Sequence, residues 1–239
     1  IMKCLNFTIL IGLAGLAESP GAMAEGNTAV VVVDLQKDFT EAYNGSLAVN
    51  GTDEAYLKVT AETTKKLKDL GLPVYATQDW HPADHVSFAS RHVGKNPLET
   101  IDLEDGRTQI LWPDHCVIGS DGAKLLLDEK LLDGIVQKGA NPLYDSYSGF
   151  KDDGGGITVL DKTLKSKGIK NLIIYGIATD FCVKFTVLDG IAAGYNVIVV
   201  RNLTPEIAPD TATAAWVEME KKGAVIWPNI DMSKVKKLL

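Results

Sequence analysis

Residues 171–183 read NLIIYGIATDFCV, and this stretch decides the fold. An apolar run, NLIIYG, leads into GIATDFCV, and a helical pattern, FCVKFTVLDGIAAGY, leads out. Cys182 therefore sits at a strand-to-helix corner. The N–H groups of a first helical turn lack internal partners, and the helix dipole favours negative charge there. Both effects stabilise a thiolate, the reactive form of cysteine. The same N–H groups can hold the oxyanion formed when a thiolate attacks a carbonyl. A lone cysteine is more often a small buried apolar residue, so the reading depends on what surrounds it.

Outward from this corner, strands and helices alternate. Thr28–Val33, TAVVVV, is a continuous β-branched run of the kind buried on both faces of a parallel sheet. Residues 52–70 have helical spacing and stop at Gly71, a helix-end signal. Residues 73–78, Gly134–Lys138, 171–175, Asn196–Val200 and 224–227 read as strands. Residues 160–167, 181–194 and 208–222 read as helices. The pattern predicts an α/β fold in three layers, a mainly parallel sheet with helices on both faces. The site of such a sheet lies beyond the carboxyl ends of its strands. Asp34, Asp79, Lys138 and the 177–182 segment each follow a different strand there. Residues 80–115 lack periodicity and hold all four histidines, and a loop of that length is usually functional.

A chain of 239 residues with 46% hydrophobic residues can bury a large core, and a formal net charge of −7 argues against a nucleic-acid or anionic-membrane surface. Lys3, the apolar run at 7–17, Pro20 and Ala22-Met23-Ala24 predict a signal peptide over residues 1–24, with the catalytic domain at 25–239. Periplasmic or secreted localisation follows from that expectation, and mass spectrometry of protein from its native host decides it. Cys116 and Cys182 are expected as free thiols, because pairing them would disable the nucleophile.

Asp34 opens DLQKDF and Lys138 ends IVQK, each at the tip of an apolar strand. Together with Cys182 they make a catalytic set. Asp34 is the general base that takes the thiol proton and later passes it to the leaving amine. Cys182 attacks the carbonyl, and Lys138 stabilises the thiolate and orients Asp34. In QDWHPADHVSF (78–88), Asp79 and His81 are two apart, so they share a face if the strand continues. His115 of WPDHC arrives from the far end of the loop. One carboxylate and two imidazoles suit a divalent ion, zinc, iron or manganese. His85 is either a further ligand or a group behind the ligands, and His92 reads as surface. An aromatic ring held by that ion would present its carboxamide to Cys182, with Phe39, Trp80 and Tyr147 as candidates to sandwich it.

Taken together, VVVDLQKDF, GSLAV, TQDWHPADHVSF, LWPDHC, the lysine of VQKG, DSYSGF and GIATDFCV resemble the nicotinamidases of the isochorismatase-like cysteine hydrolases. The resemblance runs from about Ala29 to the C-terminus. It implies six strands, a triad of Asp34, Lys138 and Cys182, and metal ligands Asp79, His81 and His115. It also implies a non-proline cis peptide at Ile177–Ala178. Oxyanion donors then fall at Ala178 and Cys182, and Ile177 and Ala178 border the substrate. The reaction implied is nicotinamide plus water to nicotinate plus ammonia through a thioester, with zinc ahead of iron or manganese as the ion. Two alternatives stay open: another small-amide cysteine amidohydrolase, or a non-catalytic, metal-dependent binder of small aromatic amides. A homo-oligomer from dimer to tetramer is as compatible with the chain as a monomer.

Overall fold

The computed structural model describes residues 27–239, so the signal peptide expected over 1–24 lies outside the described residues. The elements are β1 (Thr28–Val33), α1 (Glu54–Asp69), β2 (Val74–Asp79), β3 (Thr100–Asp102), β4 (Thr108–Ile110), β5 (Gly134–Lys138) and α2 (Leu160–Ser166). They continue as β6 (Asn171–Gly176), α3 (Lys184–Ala192), β7 (Asn196–Val200), α4 (Pro209–Lys222), β8 (Val225–Trp227) and α5 (Met232–Val235). Six strands form one sheet in the order β5-β2-β1-β6-β7-β8, every neighbouring pair parallel.

Local chemistry sets the element ends. Asp53 accepts a hydrogen bond from the Tyr56 N–H and caps α1, which stops before Gly71 at φ +91°. Pro209 stands at the start of α4, and Gly223 closes it in the left-handed region. The sheet is apolar on both faces. Val31, Val33 and Ile174 pack under α2, α3 and α4 through Leu164, Val187 and Trp216. Val30, Val32 and Ile173 face the other way onto Leu67 of α1 and Val235 of α5. Three layers result. Among the described residues no helix is long and apolar enough to cross a membrane.

Two local expectations change. The helix expected over 181–194 begins as α only at Lys184, because residues 179–183 form a wider turn in which the Val183 N–H bonds the Ala178 carbonyl. Residues 80–115 are also not featureless, since β3 and β4 pair as a small antiparallel arm.

The chain order within the sheet places the site. From β1 the chain builds outward to β2 and β5, then returns to β6 on the other side of β1. The reversal falls between β1 and β6, where Val33 is registered with Gly176.

Candidate active site

Asp34 leaves β1 with φ +46°, a conformation aspartate tolerates better than most residues, and this turns its carboxylate back over the sheet edge. Thr77 of β2 holds it twice: its hydroxyl donates to Asp34 Oδ1 at 2.6 Å and accepts the Asp34 N–H at 3.1 Å. At the end of β6, Gly176 approaches β1 so closely that a Cβ there would stand 2.1 Å from the Val33 carbonyl oxygen. After it comes the cis peptide Ile177–Ala178, and then the turn bearing Cys182. Asp79 and Lys138 are registered partners at the ends of β2 and β5. Four side chains thus reach one rim from four adjacent strands.

Lys138, 2% exposed, is the hub. Its Nζ donates to Asp79 Oδ1 at 2.5 Å, the Ser146 carbonyl at 2.7 Å and Cys182 Sγ at 3.5 Å. Asp34 Oδ2 lies 2.9 Å from the same nitrogen, close enough to attract it as an ion. Apart from that ion pair, this buried oxygen has no hydrogen-bond donor. A carboxylate oxygen of Asp34, one of Asp79 and Cys182 Sγ all lie within 4.8 Å of one another. Asp34 therefore stands beside both the ammonium and the sulfur.

The charges follow from this packing. Burial pushes the Asp34 carboxyl up to about 6, against the pull of Lys138. Burial also raises Asp79, but Lys138 and His81 outweigh it and hold Asp79 far below the ordinary carboxylate range. Lys138 loses to burial and gains more from Asp34 and Asp79, so it stays protonated. Burial carries the Cys182 thiol well above its usual value, with Asp34 and Asp79 adding to the rise and Lys138 opposing it. A resting thiol agrees with the expectation that Asp34 takes its proton during the reaction. The helix end is not the dominant influence, because Cys182 lies in the wide turn before α3 and is largely buried.

Beside the triad, Asp79 Oδ2 lies 3.6 Å from His81 Nε2 and 3.9 Å from His115 Nε2. Ligand atoms about 2.1 Å from a tetrahedral ion stand roughly 3.4 Å apart, so these residues fit a divalent ion. The second nitrogens agree. His81 Nδ1 bonds the Gly139 carbonyl at 2.9 Å and His115 Nδ1 the Pro113 carbonyl at 2.7 Å, which leaves both Nε2 lone pairs facing Asp79. His85 is built differently. Its Nε2 meets the Tyr144 carbonyl at 3.2 Å and its Nδ1 the Ser87 hydroxyl at 2.7 Å, so it stands behind the ligands, its ring 4.3 Å from that of His81. His92 is half-buried, not surface, and bonds the Val86 carbonyl.

A cavity with about 410 Å³ of empty space opens over Cys182, Asp79 and His115. Of the residues expected around a ring, Phe39, Tyr147, Ile177 and Ala178 line it. Trp80 does not: it packs against the apolar cluster on the α1 side of the sheet. Trp112 lines the cavity instead, its indole N–H donating to the Tyr147 hydroxyl at 3.0 Å. Three further residues had no sequence reading. Gln36 bridges β1 to β2 by accepting the Asp79 N–H at 2.7 Å and donating to the Asp79 carbonyl at 2.8 Å. Asp38 accepts the Cys116 N–H at 2.7 Å and so fixes the loop behind His115. Asp180 accepts from the Ile207 and Ala208 N–H groups and from the Thr211 hydroxyl. Cys116 and Cys182 are both free.

Residues 28–229 match the family model described as the isochorismatase domain. The chain belongs to the isochorismatase family. Within it, the chain is 42% identical to the nicotinamidase of Escherichia coli K12 over 87% of its own length and 98% of that protein. The structure of a nicotinamidase/pyrazinamidase from Acinetobacter baumanii superposes with TM-score 0.77 at 37% identity, covering 87% of this chain and 98% of that one. The pyrazinamidase of Pyrococcus horikoshii, solved in complex with zinc, superposes with TM-score 0.68 at 33% identity, covering 84% and 98%.

Proposed function

We propose that this isochorismatase-family chain hydrolyses nicotinamide to nicotinate and ammonia through a thioester on Cys182. The observation that carries the reading is the convergence of the Asp34 carboxylate, Cys182 Sγ and the Lys138 ammonium at an aromatic-lined cavity. Asp34 takes the thiol proton as Sγ bonds to the carboxamide carbon. The N–H groups of Ala178 and Cys182 donate to the developing oxyanion. Asp34 then passes its proton to the nitrogen, and the C–N bond breaks to release ammonia. Water, giving one proton to Asp34, attacks the thioester; the C–S bond breaks, the sulfur recovers that proton, and the acid leaves as nicotinate after losing its remaining proton to solvent. Lys138 keeps its charge throughout and steadies the thiolate and Asp34 in turn.

Asp79, His81 and His115 would hold the ion, and we assign zinc in preference to iron or manganese. When bound, such an ion supplies an anchor for a ring nitrogen. Phe39, Trp112, Tyr147 and Phe181 surround the space for the ring. The substrate itself is supported by the likeness to nicotinamidases over nearly the whole chain.

Cys182→Ala tests the route. Ammonia release from nicotinamide should fall at least about a thousand-fold, as for loss of a nucleophile acting as part of a unit, while metal content stays at the parent's level. Turnover surviving at more than a trace would refute the thioester.

A further inference from the structure

Asp145 lines the cavity, yet the reaction above gives it no task. It is 3% exposed. Neutral donors hold both its oxygens: the Ser146 N–H donates to Oδ1 at 2.8 Å and the Gln109 amide to Oδ2 at 2.9 Å. No Lys, Arg or His among the described residues pairs with it. The Tyr147 hydroxyl, which receives the Trp112 indole N–H, lies against the same carboxylate. A buried carboxylate held directly only by neutral donors is an expensive way to fix a loop, since an uncharged side chain can accept the same two bonds.

We propose that Asp145 is a specificity-determining residue that admits uncharged amides, rejects carboxylate-bearing ones and hastens departure of the acid product. Nicotinamide enters neutral, whereas nicotinate leaves as an anion. At an effective dielectric of about 20, a like charge elsewhere in the same cavity repels enough to change binding or reaction rate roughly ten-fold. Selection here works by repelling the wrong charge, with no new contact to the right one. The part concerning product rests on the nicotinamidase reading; charge selection at the sulfur does not.

The test uses the metal-replete protein at low ionic strength and two thiol reagents of similar size, neutral iodoacetamide and anionic iodoacetate. Alkylation of the Cys182 peptide is followed by mass spectrometry. In D145N the iodoacetate-to-iodoacetamide rate ratio should rise about ten-fold over the parent. D145S, which does not oblige the Gln109 amide to turn, should do the same. A merely structural Asp145 would alter both rates alike, so a ratio within about two-fold of the parent in a folded variant overturns the proposal. Nicotinate inhibition supplies the second readout: its Ki relative to the KM for nicotinamide should fall about ten-fold in D145N. An unchanged alkylation ratio with nicotinamide still hydrolysed removes this role from Asp145 and leaves the nicotinamidase reading standing. A raised ratio in a protein inert towards nicotinamide does the reverse.

Discussion

Asp34 is where burial, backbone and charge meet. Its carboxyl is pushed up to about 6, and it is the proton acceptor of the proposed reaction. A base must be ionised to act, so activity is present above that value and lost as pH falls through it. The acid limb of kcat/KM for nicotinamide should therefore lie near pH 6, and Asp34→Asn should remove turnover at every pH. A limb below about 4.5, the region of an ordinary carboxyl, would mean that another group takes the proton. Gly139 is a second residue with a decisive position. At φ +68° it lies so close to His81 that a Cβ would stand 2.3 Å from the ring. Gly139→Ala should push His81 off its place and weaken metal affinity about 10–100-fold, measured by competition with a chelator. Undiminished affinity would show that His81 does not hold the ion. At this scale the sequence revealed most of the site, because acid, lysine, cysteine and histidines each follow a strand tip. Trp80 misled, although the period-2 rule that puts Asp79 and His81 on one face sends Trp80 to the other. The thiol's protonation could not be read, since it depends on how completely three dimensions desolvate the sulfur.

Among the elements, the strands were legible as apolar runs and the long helices as capped periodic ones. The arm of β3 and β4 was not. Each strand is three residues long, TID and TQI, too short for alternation to register. The arm nonetheless supplies Gln109, which holds Asp145. The turn at 179–183 was equally hidden, because a wide turn and an ordinary first helical turn share the same residue types. It is fastened to the segment before α4. Asp180, 2% exposed, takes bonds from the Ile207 N–H at 3.0 Å, the Ala208 N–H at 3.1 Å and the Thr211 hydroxyl at 2.6 Å. Thr179 adds a bond from its hydroxyl to the Thr204 carbonyl at 2.7 Å. Ile207 is itself part of the cavity wall. Asp180→Asn keeps one acceptor and loses the charge, so it should destabilise the fold by about 1–3 kcal/mol in denaturant titration. KM should rise more than kcat falls, because the wall moves before the sulfur does. Equal loss in both would indicate that Asp180 acts on the nucleophile directly.

Across the whole molecule, the metal ligands stand beyond the strands that build the sheet. Asp79 ends β2, and His81 and His115 lie in the long loop that follows it. Removing the ion with a chelator should therefore leave far-UV circular dichroism unchanged while lowering Tm by roughly 5–10 °C, the effect of a ligand at about a hundred times its Kd. Collapse of the dichroism on chelation would mean that the ion helps to build the sheet. The six-stranded architecture itself was readable from the alternation of elements, but the order of the strands was not, for no local signal tells β6 on which side of β1 to pair. That pairing has a lasting consequence. Acid and sulfur hang from neighbouring ribbons laced together by main-chain bonds, with Val33 opposite Gly176. A slip of one step along that seam would carry Asp34 about 3.3 Å and turn its side chain to the opposite face. The distance on which proton transfer depends is thus guarded by the most cooperative part of the protein, and the surrounding loops are free to diversify without disturbing it.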